Sequence, residues 1–456
     1  MNFEGKKIAV IGGGLAGSET ALQLAKRGLS VTLFEMRPQA TTPVHKSSGL
    51  AELVCSNSLK STKPSSAAGM LKHELDVLGS FVYRAALNNK VEAGGALAVD
   101  RDLFSQEITH LVEGSPNIEV VRQQVASLSD LGGFDAIIVA SGPMTSESLA
   151  NSIFSIIGEQ EMHFYDAAAP IVMADSLNYD VLFGQNRYED ATDDSSSDYL
   201  NAPFTKEEYL AFIEALLDAE KVILKDFERK ELFSACQPIE EIARSGVDAP
   251  RFGPLKPVGL TDPRTGKRPW AVVQLRSENR NSTAFNLVGF QTNLTFPEQK
   301  RVFHMIPGLE NAEFARYGVM HKNIFVNAPQ VLDKNLKCDL LSKTCKTPVF
   351  IAGQLSGTEG YLEAVRSGLH AAISVVCELG EIAAPELSSS TVFGSLIDYA
   401  CDNNTIDYQP MHVNFGIIAP LEQKIKNKQQ RYCAYQERGD AEIEAYKNSL
   451  IQAGVF

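Results

Sequence analysis

The chain lacks any apolar run approaching the ~18 residues that a membrane-spanning helix needs. Its seven cysteines, an odd number scattered over 456 residues, include no Cys-x-x-Cys pair and no zinc spacing. That usage fits free thiols in a reducing compartment and predicts no metal site. Basic side chains are in deficit, 42 Lys and Arg against 56 Asp and Glu, for a net charge of −14. A general basic coat for nucleic acid is therefore excluded, although a local patch is not. No internal repeat is visible, and only one G-x-G-x-x-G occurs. What is present, 44% hydrophobic and 21% charged residues, is a globular composition long enough for two or three domains.

The N-terminus superficially resembles a signal peptide, because Lys6 and Lys7 precede an apolar stretch. Gly12, Gly13, Gly14 and Gly17 lie inside that stretch and Ser18-Glu19-Thr20 breaks it. It reads instead as a mature strand and turn, which predicts a cytoplasmic protein. Lys7–Ile11 has the apolar run of a buried parallel strand. Gly12-Gly13-Gly14-Leu15-Ala16-Gly17 then matches the dinucleotide fingerprint. Gly12 permits the tight turn, Gly14 lets backbone approach a pyrophosphate, and Gly17 lets the helix close on the strand. The helix runs to Lys26 and Arg27 and stops at Gly28. A second strand, 30–34, ends at Glu35, near the position of a carboxylate that binds a ribose hydroxyl.

Two later segments extend this pattern. Asp135–Gly142 is another buried strand with a tight exit. Pro348–Gln354 is a strand followed by Gly357, Gly360 and a small-residue helix over 363–376. The arrangement resembles the FAD-binding core of large flavoproteins, in which an N-terminal fingerprint and a C-terminal strand–Gly–helix close around one flavin. Gly353 and Gln354 then join the cofactor site, with Gln354 standing where such proteins commonly carry an acid. The predicted fold class is α/β, a Rossmann-like FAD-binding domain with an inserted α+β domain. The divisions are 1–154, 155–319 for the insertion, and 320–456 with a helical C-terminal segment. Within the insertion a helix is expected over 202–227 and strands over 272–276 and 285–290. The Asp- and Ser-rich tract 188–198 reads as a solvated loop.

Charge is uneven. Residues 251–280 carry Arg251, Lys256, Arg264, Lys267, Arg268, Arg276 and Arg280 against Asp262 and Glu278, so 7 − 2 gives +5. Such a ribbon is either a solvated surface or a phosphate-contacting patch, and Arg251, Lys256, Lys267, Arg268 and Arg276 are the candidate RNA contacts. Any of the cysteines, taken alone, reads most simply as an apolar filler. His45, His73, His321 and His412 receive no role. Asp100, Arg101 and Glu359 are candidate contacts for the flavin or its co-substrate.

Several stretches together are similar to the folate- and FAD-dependent tRNA (uracil-5-)-methyltransferase family over essentially the whole chain. They include Phe34-Glu35-Met36-Arg37-Pro38, Ala51 to Leu59, Gly94 to Arg101, Tyr165 to Pro170, Cys236 to Glu240, Phe252 to Gly259, Met305 to Glu310 and Gly353 to Tyr361. The tract 189–198 is longer than the family pattern. The resemblance implies transfer of a one-carbon unit from 5,10-methylenetetrahydrofolate, by way of reduced FAD, to C5 of a uridine. The product is 5-methyluridine in the T loop of tRNA, and a relative acting on ribosomal RNA has the same motifs. It implies NADH or NADPH as reductant and functional thiols at Cys55 and Cys236. Cys236 is expected to add to uracil C6, with Cys55 engaging or protecting the flavin-bound methylene. The remaining five cysteines are expected to be structural. The competing readings are a small-molecule flavin oxidoreductase and a flavin-binding RNA scaffold without turnover.

Overall fold

The computed structural model describes the chain apart from residues 1, 2, 43, 159–161, 168, 188–196, 223–236, 319 and 406–407, and apart from the side chains of 161–168 and 319–322. Cys236 and most of the acidic tract therefore lie outside the described residues.

Five parallel strands form the central sheet, in the order Val349–Ile351, Ala136–Val139, Lys7–Ile11, Ser30–Phe34 and Ile118–Val121. Ile8, Ala9, Val10 and Ile11 are buried without alternation, as a strand covered on both faces requires. Helices Leu15–Lys26 and Tyr361–Leu379 cross on this sheet. Their approach is close enough that a Cβ on Gly368 would lie 2.3 Å from the Ala16 carbonyl oxygen. Thr20 fixes the crossing by donating its hydroxyl to the Gly368 carbonyl at 2.9 Å. Both ends of the chain thus build one core, which the C-terminal helix Lys428–Gln452 joins through Ile443, Tyr446 and Leu450.

A second core belongs to a six-stranded antiparallel sheet. Its order is Phe183–Gly184, Tyr199–Phe204, Ala271–Ser277, Ala284–Leu287, Ile171–Met173 and Phe314–Arg316. The antiparallel pair Met162–Ala167 and Met320–Phe325 lies next to the expected boundaries at 154/155 and 319/320. We read that ribbon as the neck of the insertion. The helix expected over 202–227 starts later, at Lys206, and runs to Asp218, while residues 223–227 of that expectation lie outside the described residues. Thr205 and Glu208 form a capping box that fixes its start, and 202–204 belong to the preceding strand. Only Thr205 lies between the two elements, and its capping box with Glu208 marks the break.

Candidate functional site

The fingerprint residues fold as their spacing predicts. Gly12 has φ +101°, and a Cβ there would lie 2.5 Å from the Ala140 carbonyl oxygen. A Cβ on Gly17 would meet the Gly12 carbonyl oxygen at 1.8 Å. Gly14 differs: nothing lies within 4 Å of its added Cβ. That open space belongs to a cavity of about 450 Å³ whose wall includes Gly12, Gly14, Leu15, Ala16, Glu35, Gly353 and Gln354. Cys55, Ser56, Gln291, Asn323 and Tyr361 line the same cavity.

Three features suit this cavity to a dinucleotide. The helices beginning at Leu15 and Tyr361 both open on it, and neither N-cap, Gly14 or Gly360, supplies a side-chain cap. Their free amides are donors for an anion or for electron-rich oxygens. Glu35 accepts the Gly13 amide at 2.9 Å and is paired with Arg37 at 2.9 Å. Burial alone would raise its carboxyl, but the Arg37 contacts and the Gly13 amide hold it below the usual range. It is thus an ionised acceptor on the cavity wall, and it also braces the phosphate turn. Finally, the Oδ1 of Asn323 is buried on this wall without a partner among the described residues. Such an orphan costs free energy unless a ligand satisfies it. Gln354 donates to Glu359, and both face the cavity. These residues fit FAD.

Cys55 sits in a loop held from three sides. Its amide and that of Ser56 both donate to the Tyr361 hydroxyl, at 2.8 and 3.2 Å. Its carbonyl accepts Arg101 at 3.0 Å and Arg316 at 2.8 Å. Burial above all pushes the Tyr361 phenol up, so it stays protonated. Burial raises the thiols of Cys338, Cys345, Cys377 and, to about 12, Cys401, and none of these lines the cavity. Tyr361 and Arg316 were not singled out from sequence. Tyr361 closes the Gly353–Tyr361 motif, whereas Arg316 comes from an edge strand that carries no local signal.

Arg101 does not face the cavity. It also donates to the Leu53 carbonyl and pairs with Glu278 of the inserted sheet. Asp100 caps the helix Arg101–Glu113 by accepting from Asp102 and Leu103, and it accepts the Arg280 amide at 3.2 Å. Both therefore support the cavity wall and do not touch its contents. Burial would raise Glu278, but the Arg101 charge and hydrogen bond keep it depressed. We predict that Glu278→Gln costs about 3 kcal/mol or more, because it strands a buried guanidinium. The sign with pH follows from the depressed carboxyl. Its contribution is present above the ordinary carboxylate pKa and is lost as pH falls through the lower folded value. Denaturant unfolding should therefore show wild type and variant converging toward strongly acidic pH.

Part of the basic ribbon is committed elsewhere, which corrects the expectation for Arg276. Arg276 is 6% exposed, and its guanidinium holds Ser56 at 2.8 Å and Asn57 at 3.1 Å. It positions the Cys55 loop and cannot reach a phosphate. Arg251 stacks 3.7 Å over Trp270 and pairs with Asp248 at 3.0 Å. Arg264 is taken by Asp262. Lys267 and Arg268 are exposed and Lys256 is half-buried. Of the histidines without an assigned role, His45 and His412 line the cavity, and burial with nearby Lys60 lowers His412. His73 lies 3.7 Å from Asp440 at the surface. Among the described residues no helix is long and apolar enough to cross a membrane, and no group of three metal-ligating side chains occurs.

A doubly wound sheet with two uncapped helix N-termini on one cavity, and an antiparallel domain inserted between its halves, defines a dinucleotide-binding protein of the large flavoprotein class. The overall fold matches that of Aquifex aeolicus GidA, with a TM-score of 0.68, 16% identity, and coverage of 99% of this chain and 74% of that one. Residues 7–383 match the family described as "Glucose inhibited division protein A". A Carboxydothermus hydrogenoformans protein named methylenetetrahydrofolate--tRNA-(uracil-5-)-methyltransferase TrmFO is 49% identical over 433 residues, 95% of this chain and 97% of its own. A Geobacter sulfurreducens protein of the same name is 51% identical over 425 residues, 93% and 95% of the two chains. The chain belongs to this methylenetetrahydrofolate--tRNA-(uracil-5-)-methyltransferase family.

Proposed function

We propose that the chain is a cytoplasmic enzyme that methylates C5 of a uridine in tRNA. The carbon comes from 5,10-methylenetetrahydrofolate and the two extra electrons from NADH or NADPH. The observation that carries the reading is the presence of Cys55 in the cavity formed by the dinucleotide fingerprint. FAD, when bound, supplies the redox step that turns a methylene into a methyl group, so that tetrahydrofolate leaves unoxidised. Gly12–Gly17, Glu35, Gly353 and Gln354 would hold it.

The protein's own groups do the rest. Uracil C5 is a poor carbon nucleophile until a thiolate adds at C6 and places negative charge on C5. We assign that addition to Cys236. Ile239, three residues further on, donates its amide to the Gln291 carbonyl at 2.8 Å, and Gln291 lines the cavity. Three residues of chain span at most about 11 Å. After the new bond at C5 forms, the C5 proton is lost and the thiolate is expelled. Cys55, fixed by Tyr361, Arg101 and Arg316, meets the one-carbon unit. Lys256, Lys267 and Arg268 are proposed phosphate contacts.

Labelled-carbon transfer tests the reading. Label should reach RNA from methylenetetrahydrofolate only when NADH or NADPH is present. Label arriving from S-adenosylmethionine without folate would overturn it.

A further inference from the structure

We infer that the start of the C-terminal helix, with the loop before it, is the main surface that grips the tRNA backbone beside the flavin cavity. The inference rests on the proposed function and adds the RNA-docking site to it. Residues 421–438 carry Lys424, Lys426, Lys428, Arg431 and Arg438 against Glu422 and Glu437, so 5 − 2 gives +3 in a chain of −14. Lys424, Lys426 and Lys428 are exposed, and none forms an ion pair among the described residues. The ribbon at 251–280, in contrast, has buried Arg276 and paired Arg251 and Arg264.

The placement of these lysines is unfavourable for the helix itself. Lys428 opens the helix Lys428–Gln452, whose first turn has no acidic residue, while Glu437, Asp440, Glu442 and Glu444 fall around its middle. Cations at a helix N-terminus oppose the macrodipole. Here side-chain charge and dipole have one sign, and together they focus a positive potential that an external polyanion would relieve.

Two chain segments tie this surface to the cavity. Lys60 is on the cavity wall, and three residues later Lys63 donates to Gln429 of the helix's first turn at 3.1 Å. His412 is also on the wall, and Phe415 stacks on Tyr432 of the helix with centroids 4.3 Å apart. The backbone segments, 60–63 and 412–415, each span at most about 11 Å. Lys428 sits 5.6 Å above the Tyr432 ring, so cation and aromatic alternate along the surface. A folded RNA lying here would have its phosphates on the lysines and a single extruded nucleotide within reach of the cavity.

The test uses full-length holoenzyme and a tRNA transcript lacking 5-methyluridine. Affinity is measured against salt for wild type and for the triple variant Lys424→Ala, Lys426→Ala and Lys428→Ala, with Lys267→Ala/Arg268→Ala in parallel. At about 0.7 to 0.9 per phosphate, the triple variant should reduce the log–log salt slope by roughly 2 to 3 and weaken binding by about 100-fold at 0.1 M salt. The thermal midpoint should stay level or rise, because the removed charges opposed the dipole. Flavin reduction by NADPH should be unchanged. A triple variant with wild-type slope and affinity overturns the inference. So does one whose only defect is a raised KM for a polyglutamylated folate, which would make the surface a site for the folate tail. A wild type that does not bind tRNA overturns the proposed function itself.

Discussion

Cys55→Ala should abolish methyl transfer while leaving flavin content and fold intact. The loss expected for removing a reacting thiol is at least about 10³-fold in turnover. The fold should survive because the loop is held through its backbone. The Cys55 amide and carbonyl make the contacts to Tyr361, Arg101 and Arg316, and alanine keeps them all. Cys236→Ala should be equally inactive but distinguishable. RNA containing 5-fluorouridine has no C5 proton to lose, so it should trap the adduct of whichever thiol adds to C6. A covalent complex that persists in Cys55→Ala and disappears in Cys236→Ala supports the assigned division. The opposite pattern would exchange the two roles. Retention of full turnover by Cys55→Ala would remove this thiol from the chemistry altogether.

The supports of that thiol mark the limit of what the sequence disclosed. The strand Lys7–Ile11, the helix to Lys26 and the strand to Phe34 were legible because local pattern alone decides them: an apolar run, a glycine turn and a helix stop. The helix after Gly360 was legible for the same reason. Arg316 lies 261 residues from Cys55, and Arg276 lies 220 residues from Ser56. No local pattern distinguishes such a cation from one facing solvent, and Arg276 was accordingly grouped with a phosphate-binding ribbon. Burial reverses its role, since a guanidinium 6% exposed must find acceptors inside the protein. The insertion shows the same limit. Its strand 199–204 runs directly into the helix 206–218, with only Thr205 between them.

Two substitutions one turn apart in the fingerprint should fail in different ways. In Gly14→Val the new side chain enters open cavity, with nothing within 4 Å of its Cβ. The protein should fold with its stability nearly unchanged, yet purify without yellow colour, because the branched methyls occupy the space a pyrophosphate needs. In Gly17→Val the Cβ would fall 1.8 Å from the Gly12 carbonyl oxygen and 3.4 Å from the Ala140 Cβ. The backbone oxygen cannot turn aside as a flexible side chain can. The helix Leu15–Lys26 would have to lift from the strand, disturbing its crossing with Tyr361–Leu379 at Gly368. An overpacked core typically costs about 1 to 3 kcal/mol, and a clash with rigid backbone should exceed that. Thermal unfolding and bound-flavin absorbance separate the two cases. Gly14→Val should keep the apo-protein midpoint and lose the flavin band. Gly17→Val should lose the midpoint itself, with the protein recovered unfolded or aggregated. A Gly14→Val protein that retains stoichiometric FAD would show that the pyrophosphate does not pass over this turn. The remaining uncapped amides at the start of the Tyr361 helix would then be the place to look for it.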